Sequence, residues 1–143
     1  MPAVAAAQSA ATPITLPPLH LESLAIDPVR NRLVLFGGAA ELTGTLEWNG
    51  DDWRRTVDSA SSPFPRAGAA MTWEPVRRAV VMFGGQPRRA PNAPSALCDT
   101  WAYDGRWTRL HDGACVTDRM INSSLVYDSW DGAHWGWRLR SRP

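Results

Sequence analysis

Apolar residues along this chain come in two bursts that share an ending. Residues 32–38 read RLVLFGG, and 79–85 read AVVMFGG. Each run is apolar at consecutive positions and has strand length, the pattern of a strand covered on both faces. Before each run lies another short apolar segment, joined to it by an acid-Pro-Val-Arg tetrad: Asp27-Pro28-Val29-Arg30, then Glu74-Pro75-Val76-Arg77. Proline presets φ at the second turn position, so each pair of segments predicts a hairpin. In the second hairpin the leading strand carries Gly68, Ala69 and Ala70, small residues that let neighbouring backbones converge. Downstream, Asn49-Gly50 and Asp104-Gly105 each sit between short aromatic segments. Such dipeptides favour two-residue turns with positive φ, which predicts a second hairpin per unit. The pattern therefore reads as two units of four short strands, labelled A to D.

The two units are copies. LAIDPVRNRLVLFGG (24–38) lies over MTWEPVRRAVVMFGG (71–85) without a gap, and LEWNGDDW (46–53) lies over WAYDGRW (101–107) with one residue deleted. The period is about 50 residues, a repeat architecture at the kelch value. The motif consists of Arg66 before strand A, Phe36-Gly37-Gly38 and Phe83-Gly84-Gly85, the strand C aromatics Trp48 and Tyr103, and the strand D residues Trp53 and Trp107. In these residues, over about 20–128, the chain resembles the kelch repeat family, which includes the kelch-like domain of galactose oxidase. The resemblance implies a β-propeller in which the double glycine permits a tight strand exit and the aromatics of strands C and D pack between blades.

The expected fold class is all-β: an incomplete kelch-type β-propeller of two four-stranded antiparallel blades plus a partial third. Residues 1–13 are expected to form a disordered tail. Residues 14–66 form the first repeat, in which ITL (14–16) is a leftover strand, 67–118 the second, and 119–143 a broken third. The third copy starts with RMINSSLVYD (119–128), but residues 129–143 supply no β-branched strand B and no Gly-Gly. Trp130, Trp135 and Trp137 fit no repeat position. Propellers close with 4 to 8 blades, so this chain either belongs to a longer propeller or assembles a ring from copies. Open blade faces predict self-association or poor solubility.

Composition narrows the chemistry. A net charge of +1, from 15 basic and 14 acidic residues, offers no broad field for nucleic acid or an anionic membrane. No apolar run approaches the ~20 residues of a spanning helix. Lysine is absent, which excludes Schiff-base chemistry and the phosphate-loop lysine. This bias, with many Ala, Pro and Gly, suggests a GC-rich bacterial genome. An A-x-A pattern in MPAVAAAQSAATP lacks the basic and long apolar regions of an export signal, so a flexible tail competes with a clipped signal end. Cys98 and Cys115 flank the second C/D hairpin. Position 98 should lie opposite roughly 113, so a disulfide is feasible, which would suit an extracellular or periplasmic protein; two free thiols in a cytoplasmic one is the alternative.

His20, His111 and His134 have no ligand-spaced companions, and neither a metal nor another cofactor is expected. The Gly-Gly pairs lack G-x-G-x-x-G spacing and a following helix, so they are not a phosphate cradle. Asp51-Asp52 reads as a solvated turn, and the Asn122-Ser123-Ser124 sequon as chance. Galactose oxidase holds copper with tyrosyl and histidyl ligands. Here Tyr103 occupies a packing position and only Tyr127 remains, so the oxidase activity does not carry over.

Strand order places the D-to-A and B-to-C loops at one end. They include QPRRAPNAPSAL (86–97), VDSASSPFP (57–65) and HDGACVTD (111–118), of uneven length on a rigid scaffold, where recognition usually resides. Arg66, Arg88, Arg89 and Arg119 are expected near this end, either contacting an acidic or carbohydrate partner or serving as ion pairs and solvated charge. The expected function is a non-catalytic kelch-type module that binds a protein or glycan. Part of a secreted propeller enzyme whose active site lies on other blades is the alternative, and a degraded repeat remnant is a third reading.

Overall fold

A computed structural model describes residues 16, 20–38, 44–56, 62–87, 96–113, 124–128 and 136–140. The N-terminal tail, Arg88, Arg89, Cys115, Arg119, Trp130 and Trp135 lie outside the described residues. Among the described residues there is no helix, and all the structure is antiparallel sheet. The first sheet runs in chain order through β1 (Ser23–Asp27), β2 (Arg32–Phe36), β3 (Thr45–Trp48) and β4 (Trp53–Arg55). A two-stranded ribbon pairs β5 (Arg66–Ala67) with β8 (Gln86–Pro87). The second sheet contains β6 (Ala70–Glu74), β7 (Ala79–Phe83), β9 (Thr100–Tyr103) and β10 (Trp107–His111), and has the same up-and-down order. Last, β11 (Ser124–Asp128) pairs with β12 (Gly136–Arg140). Among the described residues no sheet closes on itself.

The A/B turns form as the sequence implies. Asp27 pairs with Arg32 and Glu74 with Ala79, leaving 28–31 and 75–78 as loops. Each leading acid accepts two backbone N–H bonds: Asp27 Oδ1 from Val29 and Arg30 (both 3.0 Å), and Glu74 from Val76 (2.8 Å) and Arg77 (3.1 Å). The carboxylate thus stands in for the missing strand partner.

The C/D turns differ from expectation. Trp48 pairs with Trp53 and Tyr103 with Trp107, so the connections are 49–52 and 104–106 rather than two residues. Asn49 is the reason in the first: its Oδ1 accepts N–H bonds from Asp51 (2.9 Å) and Asp52 (3.0 Å), a side-chain turn that widens the loop. The partial third unit also exceeds expectation, since β12 pairs with β11 in continuous register from Ser124↔Arg140 to Asp128↔Gly136 despite lacking a β-branched run. Trp137 lies opposite Tyr127 in that ladder.

Side chains alternate across β7 between two clusters. Val80 and Met82 join Ala25, Val34 and Phe36 of the first sheet, together with Trp101, Tyr103 and Trp107. On the opposite face, Ala79 and Val81 join Ala70, Ala102 and Leu125, which brings in the β11–β12 hairpin. Both faces of β7 are therefore covered, as consecutive apolar residues require. β1 lies against β6, and β6 against β11, so the leading strands of the three units stand in a row. Leu16 packs with Trp53 over Leu35 and Leu46 on the remaining face of the first sheet.

Candidate functional site

The antiparallel order gathers the long connections at one end of both sheets. There β2 runs out into Gly37-Gly38, β7 into Gly84-Gly85, and residues 20–22, 62–65, 96–99 and 112–113 converge. This loop end is held together by backbone. Gly38 N–H donates to Arg66 O (2.9 Å), Gly68 N–H to Leu21 O (2.8 Å), and Ser23 Oγ to Ala69 O (2.6 Å). Gly37 adopts φ 73°, and a Cβ there would lie 2.1 Å from Arg66 O. The Phe-Gly-Gly signature therefore does more than end a strand: it lets the next unit's leading segment come within backbone contact.

Arg66 is the anchor of this end. It is 1% exposed and spends its guanidinium inside the protein. Nη1 donates to Asp99 Oδ1 (2.5 Å) and Gly84 O (3.0 Å), Nη2 to Asp99 Oδ2 (3.0 Å), and Nε to Phe64 O (3.1 Å). The fork geometry is the bidentate arrangement that suits arginine over lysine. Asp99 Oδ2 also accepts the Trp101 indole N–H (2.7 Å), and Arg109 stands 3.7 Å away, above the Trp101 ring. Desolvation pushes the Asp99 carboxyl upward, but hydrogen bonds from Arg66 and Trp101 and the charges of Arg66 and Arg109 outweigh it, holding it below the ordinary carboxylate range. In this arrangement the Arg66 guanidinium is a buried ion-pair group that ties together residues 64, 84 and 99.

Around this brace the loop end offers contact surface. Phe64 and Leu21 are half exposed, with Gln86, His111 and Asp112 also open to solvent. Asp112 is ion-paired with Arg109. Among the described residues no group of three or more His, Cys, Asp or Glu side chains is placed to hold a metal ion, and no helix is long and apolar enough to cross a membrane. Cys98 is buried and disulfide-bonded. A Cβ on Gly113 would meet the Cys98 carbonyl oxygen at 2.6 Å, so position 113 does lie beside 98.

Of the repeat-motif aromatics, Phe36, Tyr103 and Trp107 pack between the two sheets. Phe36 meets Trp107 edge-on at 5.0 Å, and Tyr103 meets Trp107 at 4.8 Å. Trp107 Nε1 donates to Thr45 Oγ1 (2.8 Å) and Tyr103 Oη to Glu47 Oε1 (2.9 Å), so both indole and phenol are satisfied across the interface. Arg30 closes the turn end. Its Nε meets Asp27 Oδ2 and its Nη1 meets Glu47 Oε1, both at 2.6 Å, with the guanidinium 5.0 Å from the Tyr103 ring. Burial pushes the Tyr103 hydroxyl up to about 12, helped by the Glu47 carboxylate against the opposing Thr56 hydrogen bond and Arg30 charge. Gly84 and Gly85 adopt positive φ as Gly37 and Gly38 do, and Phe83 packs on the cluster that includes Leu125. In the first sheet Trp48 and Trp53 lie 5.7 Å apart, at the places that Tyr103 and Trp107 hold in the second.

Sequence reasoning missed Asp99, Glu47 and Thr45. The signal for Asp99 was present, an acid two residues before a strand C aromatic, but its partner is 33 residues away. Compared with models of known protein families and with curated proteins, the chain matches none.

Proposed function

We propose that the four-stranded sheets are blades of a kelch-type β-propeller and that the chain is a non-catalytic binding module whose loop end recognises a protein or glycan. The supporting observation is the contrast between that end and the rest. A buried ion pair and inter-unit backbone bonds brace the base of the loops, whereas Phe64 and Leu21 present apolar surface beside exposed polar groups. Rigid support beneath uneven loops is how scaffolds carry recognition. Arg88 and Arg89, on the longest of these loops, supply charge for an acidic or sugar ligand. The row of leading strands β1, β6 and β11 agrees with blades set around an axis. The Cys98 disulfide favours an oxidising, exported setting.

An array of acidic and neutral glycans and a peptide library, each probed with the purified chain, tests this reading. We expect a ligand whose binding falls at least tenfold with Arg88→Ala plus Arg89→Ala or with Phe64→Ala, and which Val76→Asp at the opposite end leaves intact. Binding indifferent to all loop-end substitutions overturns the assignment.

A further inference from the structure

We infer that the β1 side of the first sheet's outer face, where Leu24 and Ile26 stand exposed beside the covered Leu35, is an interface for a second copy of this chain, docked head to tail. The internal contact between sheets supplies the template. In the second sheet, Met71, Trp73, Val80 and Met82 face the first sheet, and Val80 and Met82 are fully buried there. The repeat register places Leu24, Ile26, Leu33 and Leu35 at the same four positions of the first sheet. Leu35 is covered by Leu46, Trp53 and Leu16. Leu24 and Ile26 are covered by nothing described and stand 53% and 61% exposed.

Strand β1 thus alternates buried and exposed residues, yet its exposed positions are Leu and Ile. An antiparallel strand with one wet face normally puts polar residues there. An apolar residue on both faces is the pattern of a strand with a neighbour on each side, and β6, its counterpart, has both: β1 on one side and β11 on the other. The cover that fits such a face is a unit of this same repeat, as the first sheet demonstrates on the second. Setting β1 of one copy beside β11 of another extends the row β1, β6, β11 without a new kind of contact. The association is heterologous, so it closes into a ring if the rotation permits. A net charge of +1 offers little repulsion between copies.

The inference needs only the repeat register and the exposure of β1, and it stands or falls apart from ligand recognition at the loop end. Sedimentation of the full chain from micromolar to sub-millimolar concentration tests it. The expected result is a discrete oligomer that Leu24→Asp plus Ile26→Asp converts to a monomer with an unchanged far-ultraviolet spectrum. Ile26→Thr, which keeps the β-branched shape, should weaken association at least tenfold. Val29→Asp plus Val76→Asp, on equally exposed turn positions, should leave the oligomer intact. A chain that stays monomeric throughout, or an oligomer that persists in the β1 variants, overturns it.

Discussion

The first and second sheets share a strand order, a turn chemistry and much of their sequence, but they are locked at opposite ends. The second is pinned at the loop end by Arg66 and Asp99, a dry bidentate pair. The equivalent positions of the first hold Leu19 and Gly44, so no such pair can form there. Its charges gather at the turn end instead, where Arg30, with 27% of its side chain exposed, joins Asp27 and Glu47 and reaches over Tyr103 of the second sheet. The difference teaches that the repeat motif encodes the ladder, while its departures from repetition decide where each unit is fastened. The neighbours differ as well: β7 is covered on both faces, and β1 on one.

The ion pairs give the widest separation between the two sheets. Arg66→Ala strips the buried Asp99 carboxylate of its bidentate partner, leaving it only the Trp101 N–H and the more distant, half-exposed Arg109, and should cost about 3 kcal/mol in denaturant unfolding. Arg30→Ala, partly wet and with Asp27 still capping its turn, should cost about 1 kcal/mol. Equal losses would dissolve the contrast. Arg66→Met combined with Asp99→Leu should recover most of the deficit, because it removes the stranded charge rather than restoring a bond.

Packing should separate the sheets almost as far. Met82→Ala, in the doubly covered strand, should lose about 2–4 kcal/mol. Ile26→Ala, measured at concentrations where copies are apart, should stay within about 0.5 kcal/mol. A large loss at Ile26 in the dissociated chain would mean that β1 has a cover within its own molecule.

Glycine sharpens the comparison at the level of the backbone. Gly37→Ala meets both a positive φ and the Arg66 carbonyl and should cost about 2 kcal/mol or more. Gly50→Ala has positive φ but nothing within 4 Å, and should cost about 1 kcal/mol. Similar values would show that approach of the next unit does not constrain Gly37.

The two ends also differ in how they respond to pH. The Tyr103 hydroxyl, pushed up to about 12, favours the protonated folded state. Its contribution is therefore complete below the unfolded value of about 10 and lost as pH rises from there toward 12. Ultraviolet titration should show a tyrosine phase near 12 that Tyr103→Phe abolishes. Asp99 behaves oppositely: held low in the fold, it stabilises above its unfolded value of about 3.9, and that contribution is lost as pH falls below it. In Arg66→Ala this acid-side dependence should weaken or reverse.

Much of this architecture is legible in the chain. The acid-Pro-Val-Arg tetrads, the consecutive apolar runs and the recurring Trp and Gly positions all act through local backbone preference or strand periodicity, which a sequence displays directly. The C/D loop lengths were not legible, because Asn49 competes with the two-residue turn by accepting two N–H bonds from its own loop. The β11–β12 pairing escaped for a related reason. An antiparallel ladder bonds through main-chain groups and tolerates a strand without β-branched residues once a neighbour is in place.

At the candidate site the balance shifts toward the fold. Arg66 stands out in sequence by its position before strand A, but whether it faces solvent or the interior depends on Asp99 and on two carbonyls, at 64 and 84. The repeat, its strand order and the end at which its loops gather were determined by sequence, since period and alternation are properties of the chain read along its length. Which charges are dry, which face of β1 is bare and how close Gly37 comes to the following unit were decided by tertiary structure, because each depends on groups brought together from distant positions, and burial belongs to the neighbours as much as to the residue.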